Sequence, residues 1–125
     1  MINKIGKVTV YVNDQEQAKD FWINKVGFVL KFEQAMGSNM SWLEVGPSED
    51  EFTTLVLYSK SAMEQQNPSA VAHPSILFST TDIEAAYEKM KENGVEVDEM
   101  QRMPFGTMFS FKDQEGNEYL LREDK

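Results

Sequence analysis

Few side chains in this sequence could hold a transition metal, because it has one histidine, His73, and no cysteine. Zinc, nickel, copper and non-haem iron sites usually draw on imidazole or thiolate ligands, often two or more together. The sequence therefore predicts no such metal centre and no cofactor, and leaves open a carboxylate-only magnesium or calcium site. His73 precedes Pro74 in a stretch without periodicity, where we interpret it as a loop residue. The alternative is that it lines the mouth of a binding site.

Two charged side chains, Lys7 and Glu44, are candidates for chemistry beyond binding. A lysine held in an apolar site loses solvation, which favours its neutral form and makes it a conceivable base or Schiff-base nucleophile. Glu44 could act as a general base if burial near Trp42 raised its pKa. The simpler alternative is a lysine at the rim of the site, paired with Glu44 or Glu118. Because no second titratable group is clearly placed to work with Glu44 as a base, we predict no catalytic residue.

The first half of the chain has the pattern of a strand, a helix and three further strands. Alternating valines in residues 8–12 are typical of a half-buried strand. Asp14 is the expected N-cap of the helix, with Gln17 as its capping-box partner, and Gly27 ends the helix. We predict strands at residues 7–12, 28–34, 40–45 and 54–58, with a turn at residues 36–39.

The second half repeats this order. We predict a strand at residues 75–80, a helix capped by Asp82 and ended by Gly94, an extended segment at residues 95–100 and a hairpin over residues 108–122. Aligning the two caps also aligns a buried alanine and, after a slip of one residue, the glycine that ends the helix. The aligned pairs are Asp14 with Asp82, Ala18 with Ala86, and Gly27 with Gly94. The alternative is two unrelated halves that share common caps.

Length and composition favour one domain of residues 1–125. The repeated order of strands and helix makes it α+β, with module one at residues 1–60, a linker at 61–73 and module two at 74–125. The net charge of −9 disfavours a nucleic-acid partner, since it repels phosphates. We interpret this acidity mainly as a device for solubility. No apolar run is long enough to cross a bilayer, so no membrane partner is expected. The start lacks a secretory signal, and we expect a cytoplasmic protein.

Three segments resemble the vicinal-oxygen-chelate superfamily, the group of glyoxalase I, bleomycin-resistance proteins and extradiol dioxygenases. They are KVTVYVNDQEQAKDFW with its NKVGF ending, STTDIEAAYEKMKENGVEV, and PFGTMFSFKDQEGNEYLL. The resemblance implies two βαβββ modules whose sheets form an incomplete barrel around a central cleft. In this superfamily the cleft holds a small molecule, and in many members it also holds a divalent metal.

The resemblance also indicates which positions would hold that metal. Metal-dependent members place ligands on the first and last strands of each module, and these positions fall on Lys7, Ser75, Val56 and Leu120. None of the four resembles the family's ligands, and a protonated lysine has no lone pair to offer. We therefore expect a cleft without a metal.

Strand alternation predicts which side chains face the cleft. If the valines of the first strand pack under the helix, Lys7 and Thr9 face the other way, and the same parity applies to the matching strands. The predicted ligand-binding residues are Lys7, Thr9, Trp42, Glu44, Val56, Ser75, Phe109 and Leu120. The alternative for the aromatic residues is a place in the core.

Three functions fit these expectations. The first is a protein that binds or sequesters a small molecule, with cationic and aromatic compounds as the candidate classes. The second is a lyase, isomerase or dioxygenase of the same superfamily, which would need a metal, or a metal-free variant that works through Lys7 or Glu44. The third is a non-catalytic interaction protein. Because exposed sheet edges are a liability, we expect a homodimer. The sequence does not reveal the ligand, or whether the modules pair within one chain or between two.

Overall fold

A computed structural model describes residues 1–37 and 39–124 of the chain. It forms two compact units, Met1–Pro74 and Ser75–Lys125. The predicted turn at residues 36–39 includes Ser38, which lies outside the described residues. The assignment of both units to a single domain stays a prediction.

Within residues 1–37 and 39–74, the first unit has four strands and two α-helices. The strands are β1 (Lys7–Val12), β2 (Val29–Ala35), β3 (Ser41–Gly46) and β4 (Thr54–Ser59), and the helices are α1 (Gln15–Asp20) and α2 (Lys60–Gln66). Their order in the first sheet is β1-β4-β3-β2. β1 and β4 are parallel, whereas the other neighbours are antiparallel, so the sheet is mixed.

The helix α1 begins where its sequence predicts. The Asp14 side chain accepts hydrogen bonds from the backbone N–H groups of Glu16 and Gln17, two donors that have no partner inside the helix. The helix continues as a π-helical turn, Phe21–Lys25, which the spacing of apolar residues does not distinguish from an α-helix. Gly27 ends the segment with a φ of 90°, in the left-handed region that glycine adopts without steric cost.

The core of the first unit lies on one face of the first sheet. Apolar side chains from β1, β3 and β4 are buried there together with the apolar side of α1 and the π-helical turn. They are Val10, Val12, Leu43, Val45, Leu55, Leu57, Ala18, Phe21 and Trp22. Fully burying one such large side chain stabilises the fold by about 1.5–3 kcal/mol. Alternation then turns the remaining residues of these strands to the opposite face.

A polar contact attaches α1 to the first sheet. The side-chain amide of Gln15 donates to the carbonyl oxygens of Ser41 and Leu57, each at 2.8 Å, and its oxygen accepts from the Ser41 N–H at 3.0 Å. One side chain thus satisfies backbone groups of both β3 and β4.

The second unit repeats the first with one additional strand. Its elements are β5 (Leu77–Thr80), α3 (Ile83–Glu92), β6 (Glu96–Val97), β7 (Gln101–Met103), β8 (Gly106–Lys112) and β9 (Glu118–Glu123). The second sheet has the order β5-β9-β8-β6, and β7 also pairs with β8. As in the first sheet, the first and last strands of the unit are parallel neighbours. Asp82 caps α3 through the Ala85 N–H, and Gly94 ends it with a φ of 83°.

The hairpin between β8 and β9 turns around a buried carboxylate. Asp113 accepts hydrogen bonds from the backbone N–H groups of Glu115 and Asn117, and from the Tyr119 hydroxyl at 2.8 Å. Burial, reinforced by the charge of Asp113 and this hydrogen bond, raises the pKa of Tyr119 well above its ordinary value of 10.0.

These observations confirm the α+β class and the two βαβββ modules. Besides the π-helical turn and the additional strand β7, two elements differ from the prediction. Part of the predicted linker is the helix α2, which Ser59 caps through the Ala62 N–H. The extended segment at residues 95–100 is mostly irregular, because only Glu96 and Val97 pair with β8. Within residues 1–37 and 39–124, no helix is long and apolar enough to span a membrane.

Candidate functional site

The face of the first sheet opposite its core carries most of the predicted site. Register places Thr9 beside Val56 and Lys7 beside Thr54, while Glu44 pairs with Val56 from the other side. We call this surface the carboxylate face. Its residues are Lys7, Thr9 and Tyr11 of β1, Trp42 and Glu44 of β3, and Thr54, Val56 and Tyr58 of β4.

Glu44 is the centre of a hydrogen-bond network on the carboxylate face. Its Oε1 accepts from the Lys7 ammonium at 2.8 Å and from the Thr54 hydroxyl at 2.9 Å. Its Oε2 accepts from the Trp42 indole N–H at 2.7 Å. The side chain of Glu44 is 10% exposed, whereas that of Lys7 is 49% exposed. Both carboxylate oxygens of Glu44 are therefore engaged by donors that the fold supplies.

This network opposes a role for Glu44 as a base. Burial disfavours the charged form of Glu44, but hydrogen bonds from Lys7, Trp42 and Thr54 outweigh burial, so the pKa of Glu44 lies below its ordinary value of 4.5. The condition for a base role, a pKa raised by burial near Trp42, is therefore not met. A carboxylate with a lowered pKa is a weak base at neutral pH.

The structure places Lys7 at the rim of the carboxylate face and pairs it with Glu44. Its side chain is half-exposed, and its ammonium donates a hydrogen bond to the Glu44 carboxylate. This arrangement is the simpler of the two alternatives drawn from the sequence. It does not provide the apolar surroundings that a neutral, nucleophilic lysine needs.

Three aromatic rings lie side by side on the carboxylate face, one from each of three adjacent strands. The ring centroids of Tyr11 and Tyr58 are 6.2 Å apart, and those of Trp42 and Tyr58 are 5.9 Å apart. Both pairs meet edge to face, which is a favoured geometry for aromatic side chains. All three rings are partly exposed. We call Tyr11, Tyr58 and Trp42 the aromatic row.

The corresponding face of the second sheet carries Leu120. Register aligns Leu120 with Leu77 on one side and Ser110 on the other, and Leu77 is 54% exposed. A groove of about 500 Å³ adjoins Leu120 and Met108 and has acidic side chains nearby. One of these, Asp98, accepts a hydrogen bond from Ser110 at 2.6 Å.

Two predicted site residues do not join these faces. Ser75 is exposed and precedes β5, so strand parity does not fix its direction. Phe109 is 1% exposed and packs edge-on against Tyr87, with the ring centroids 4.9 Å apart. Its neighbours in β8 alternate with it, so Phe109 faces the core under α3 and Ser110 faces away. The prediction that Phe109 contacts a ligand is corrected accordingly.

The structure also adds Thr54 to the predicted set. It lies opposite Lys7 in the register of β1 and β4, and its hydroxyl donates to Glu44. A polar residue at the start of an otherwise apolar strand, TLVLYS, is the sequence signal that points to it. His73 is exposed, and it lies outside both faces as defined above.

The residues at the family's metal positions do not suit a metal in this chain. Lys7 carries an ammonium beside Glu44, and Val56 and Leu120 offer no lone pair. Across residues 1–37 and 39–124, no group of three or more histidine, cysteine, aspartate or glutamate side chains could hold a metal ion. Nothing in the described network therefore requires a cation to balance Glu44.

Known proteins resemble this chain over nearly its whole length. Residues 4–120 match the model of the Glyoxalase/Bleomycin resistance protein/Dioxygenase superfamily. Uncharacterized protein YetH of Bacillus subtilis (strain 168) is 48% identical over 124 residues, which cover 98% of this chain and 100% of YetH.

Two solved structures are also similar. TnmS3, described as an antibiotic binding protein from Streptomyces sp. CB03234, is 32% identical with a TM-score of 0.82, over 99% of this chain and 98% of that chain. A superfamily member from Sphaerobacter thermophilus DSM 20745 is 30% identical with a TM-score of 0.83, over 98% of each chain. With the family model, the repeated modules and these relatives in agreement, the chain belongs to the Glyoxalase/Bleomycin resistance protein/Dioxygenase superfamily.

Proposed function

We propose that this protein binds a small organic molecule through the carboxylate face, without a metal ion and without chemical conversion of the ligand. The single observation that carries the proposal is the closed network around Glu44. Its two carboxylate oxygens accept three hydrogen bonds from within the fold, which leaves it poorly suited to abstract a proton or to ligate a metal. The remaining surface combines aromatic rings with a few polar groups, as small-molecule sites commonly do.

The relatives support binding as the class of function. TnmS3 is described as an antibiotic binding protein, and it is similar to this chain over 98% of its own length. From TnmS3 we transfer to this chain only the capacity to bind a small molecule, and not the identity of the ligand. On the carboxylate face we propose Lys7, Thr9 and Trp42 for ligand contacts, while Glu44 holds the Trp42 indole and Val56, at 1% exposed, is buried like Phe109. Contact of a ligand with Leu120, in the second unit, stays a separate prediction.

A thermal-shift screen of small organic molecules, with and without a chelator, tests this proposal. A ligand at one hundred times its Kd stabilises the folded state by about 2.7 kcal/mol. We expect at least one compound to raise the Tm by roughly 10 °C, equally in the presence of EDTA. A screen without any stabilising compound would count against binding. A shift that EDTA abolishes and zinc, nickel or manganese restores would instead favour the metal-dependent alternative.

We also propose that two copies of the chain associate. Within the described residues, the edge strands are β1 and β2 in the first sheet, and β5, β6 and β7 in the second, where β6 and β7 both pair with β8. Edge strands expose backbone donors and acceptors, and pairing with a second copy is one way in which proteins cover them. Phe32 on β2 is 46% exposed and adds apolar surface at such an edge.

A further inference from the structure

Arg122 is one of two arginines in the chain, and within the part of the chain that the structure describes it pairs with no carboxylate. The other arginine, Arg102, lies 3.0 Å from Glu84. Acidic residues outnumber basic ones by 21 to 12, so the missing partner does not reflect a shortage of carboxylates. An arginine keeps its positive charge at physiological pH. Arg122 therefore carries a charge that no neighbouring side chain neutralises.

Strand alternation places Arg122 on the face of the second sheet that points away from its core. Tyr119 and Leu121, which alternate with it in β9, are 2% and 5% exposed. Register sets Ser79 of β5 on one side of Arg122 and Met108 of β8 on the other. Ser79 is exposed and Met108 is partly exposed. Within the second unit, the surface around Arg122 is thus accessible to a ligand.

The fold holds the guanidinium of Arg122 in place. Its Nη2 donates a hydrogen bond to the carbonyl oxygen of Phe105, in the turn between β7 and β8. The guanidinium also lies against Gly106, where an added Cβ would be 2.8 Å from the Arg122 Nε. The absence of a side chain at Gly106 therefore makes room for the guanidinium. A charged group that is fixed before binding loses little conformational entropy when a ligand arrives.

The guanidinium has hydrogen-bond donors that the protein does not use. Among the described residues, Arg122 donates one hydrogen bond, to Phe105. Its Nε is buried next to Gly106 and has no hydrogen-bond partner, so a ligand would use the remaining N–H groups of Nη1 and Nη2. Two N–H groups of one guanidinium match the two oxygens of a carboxylate in spacing and direction. The chemistry of Arg122 thus favours a carboxylate ligand.

Apolar side chains lie beside Arg122 on the same face. Leu120 is two residues away in β9 and aligns in register with Leu77, which is 54% exposed. The groove of about 500 Å³ that adjoins Leu120 and Met108 is also lined by the carboxylates of Asp98, Glu99 and Glu118. These carboxylates repel a ligand with several negative charges more strongly than a ligand with one. The surroundings therefore favour a single negative charge on an apolar body.

We propose that Arg122 anchors a second binding site, for a carboxylic acid with one negative charge and an apolar chain. The ligand carboxylate accepts hydrogen bonds from the Nη groups of Arg122, beside the hydroxyl of Ser79. The apolar chain of the ligand lies over Leu120 and Leu77. This site lies within the second unit, and it goes beyond the binding function proposed for the carboxylate face.

Three straight-chain probes of equal length test the ligand class: hexanoate, hexylammonium and hexanol. We expect titration calorimetry to give an affinity for hexanoate at least about tenfold higher than for either other probe. Because the contact is ionic, this affinity should fall as the concentration of sodium chloride rises. Tighter binding of hexylammonium would overturn the proposal and would show that the acidic side chains of the groove dominate. Equal binding of hexanol, or no binding of hexanoate, would also overturn it.

Three substitutions identify the anchor. Arg122→Leu should lower the affinity for hexanoate at least about tenfold and abolish the preference over hexanol. Arg122→Lys keeps the charge without the planar pair of donors, so we expect a smaller loss. Arg102→Leu is the matched control, because Arg102 is the other arginine of the unit and already pairs with Glu84. Equal losses in Arg122→Leu and Arg102→Leu would contradict the assignment.

Gly106→Ala tests the same site without removing the charge. The added Cβ would displace the guanidinium of Arg122, so the affinity for hexanoate should fall. Circular dichroism shows whether each variant is folded, and Arg122→Lys serves as the test if Arg122→Leu is not. A folded Gly106→Ala that binds hexanoate as tightly as the wild type would contradict the proposed position of the ligand.

Trp42→Leu separates this inference from the proposed function. Trp42 belongs to the first unit, so its replacement should leave the affinity for hexanoate unchanged. If Trp42→Leu weakens hexanoate binding and Arg122→Leu does not, the ligand binds at the carboxylate face, and this inference fails while the proposed function stands. If hexanoate binds at Arg122 and no compound binds at the carboxylate face, the proposed function fails and this inference stands.

Discussion

At the scale of single residues, Glu44 joins three neighbours, two of which are distant in sequence. Its partners lie 37 residues away at Lys7, 10 residues away at Thr54 and two residues away at Trp42. A carboxylate so placed stabilises the folded state only while it is ionised. Its contribution should therefore depend on pH in a defined direction.

We predict that Glu44→Gln lowers the free energy of unfolding by about 1–3 kcal/mol near neutral pH. The pKa of Glu44 is lowered in the folded state, so the stability it contributes is present above its unfolded value of 4.5 and is lost as the pH falls through the folded value. Urea unfolding of both proteins across this range measures the difference. It should shrink at acidic pH, and a difference independent of pH would contradict this account.

Tyr119 offers the opposite pH dependence. Its pKa is raised by burial and by Asp113, so the stability it contributes is present below its unfolded value of 10.0 and is lost as the pH rises above that value. We predict that Tyr119→Phe costs about 1 kcal/mol near neutral pH, where the hydrogen bond to Asp113 is lost. The cost should decrease in alkaline solution, as measured by urea unfolding. Tyr11→Phe, the same substitution at a partly exposed tyrosine, provides a control.

At the scale of elements, the helices α1 and α3 show which sequence signals act locally. Asp14 and Asp82 cap their helices as predicted, and Gly27 and Gly94 end them, because caps and left-handed glycines act over three or four residues. Because these local signals recur in the same order in both halves, the repeated modules are visible in the sequence. The sequence does not predict the helix α2, because its residues, KSAMEQQ, form no apolar stripe. In the structure none of them is buried.

We predict that Gly94→Ala lowers stability by about 1–2 kcal/mol, because a Cβ is disfavoured at its φ of 83°. Gly6→Ala is the matched control. A Cβ at either position would meet nothing within 4 Å, but Gly6 does not have a left-handed backbone. Its replacement should change stability by less than about 0.5 kcal/mol. Equal losses in the two variants would show that the conformation of Gly94 is not the cause.

Long-range pairing limited the prediction of the candidate site. Alternation correctly grouped Lys7 with Thr9, and Trp42 with Glu44, but it could not say which face of β8 looks toward the core. Both Phe109 and Ser110 are compatible with either direction, and only packing of Phe109 against Tyr87 decides between them. The contact of Thr54 with Glu44 likewise depends on the register of β4 with β3. Such registers join segments that no local pattern connects.

At the scale of the whole molecule, we predict a homodimer in solution. Light scattering coupled to size-exclusion chromatography should give twice the monomer mass of 14.3 kDa. Phe32→Lys on the edge strand β2 should shift the distribution toward the monomer if that edge is used, since a charge on an edge strand opposes pairing. A monomer at all concentrations would contradict the proposal of association and would leave the ligand-binding proposal untouched.

The central claim is that this member of the superfamily binds its ligand without a metal. Titration calorimetry of the best compound from the screen, against protein dialysed with EDTA and again after zinc or manganese is added, tests it most directly. We predict Kd values that agree within about twofold, because Lys7, Val56 and Leu120 offer a metal no ligand. Binding that is lost in EDTA and recovered with either metal would contradict the claim.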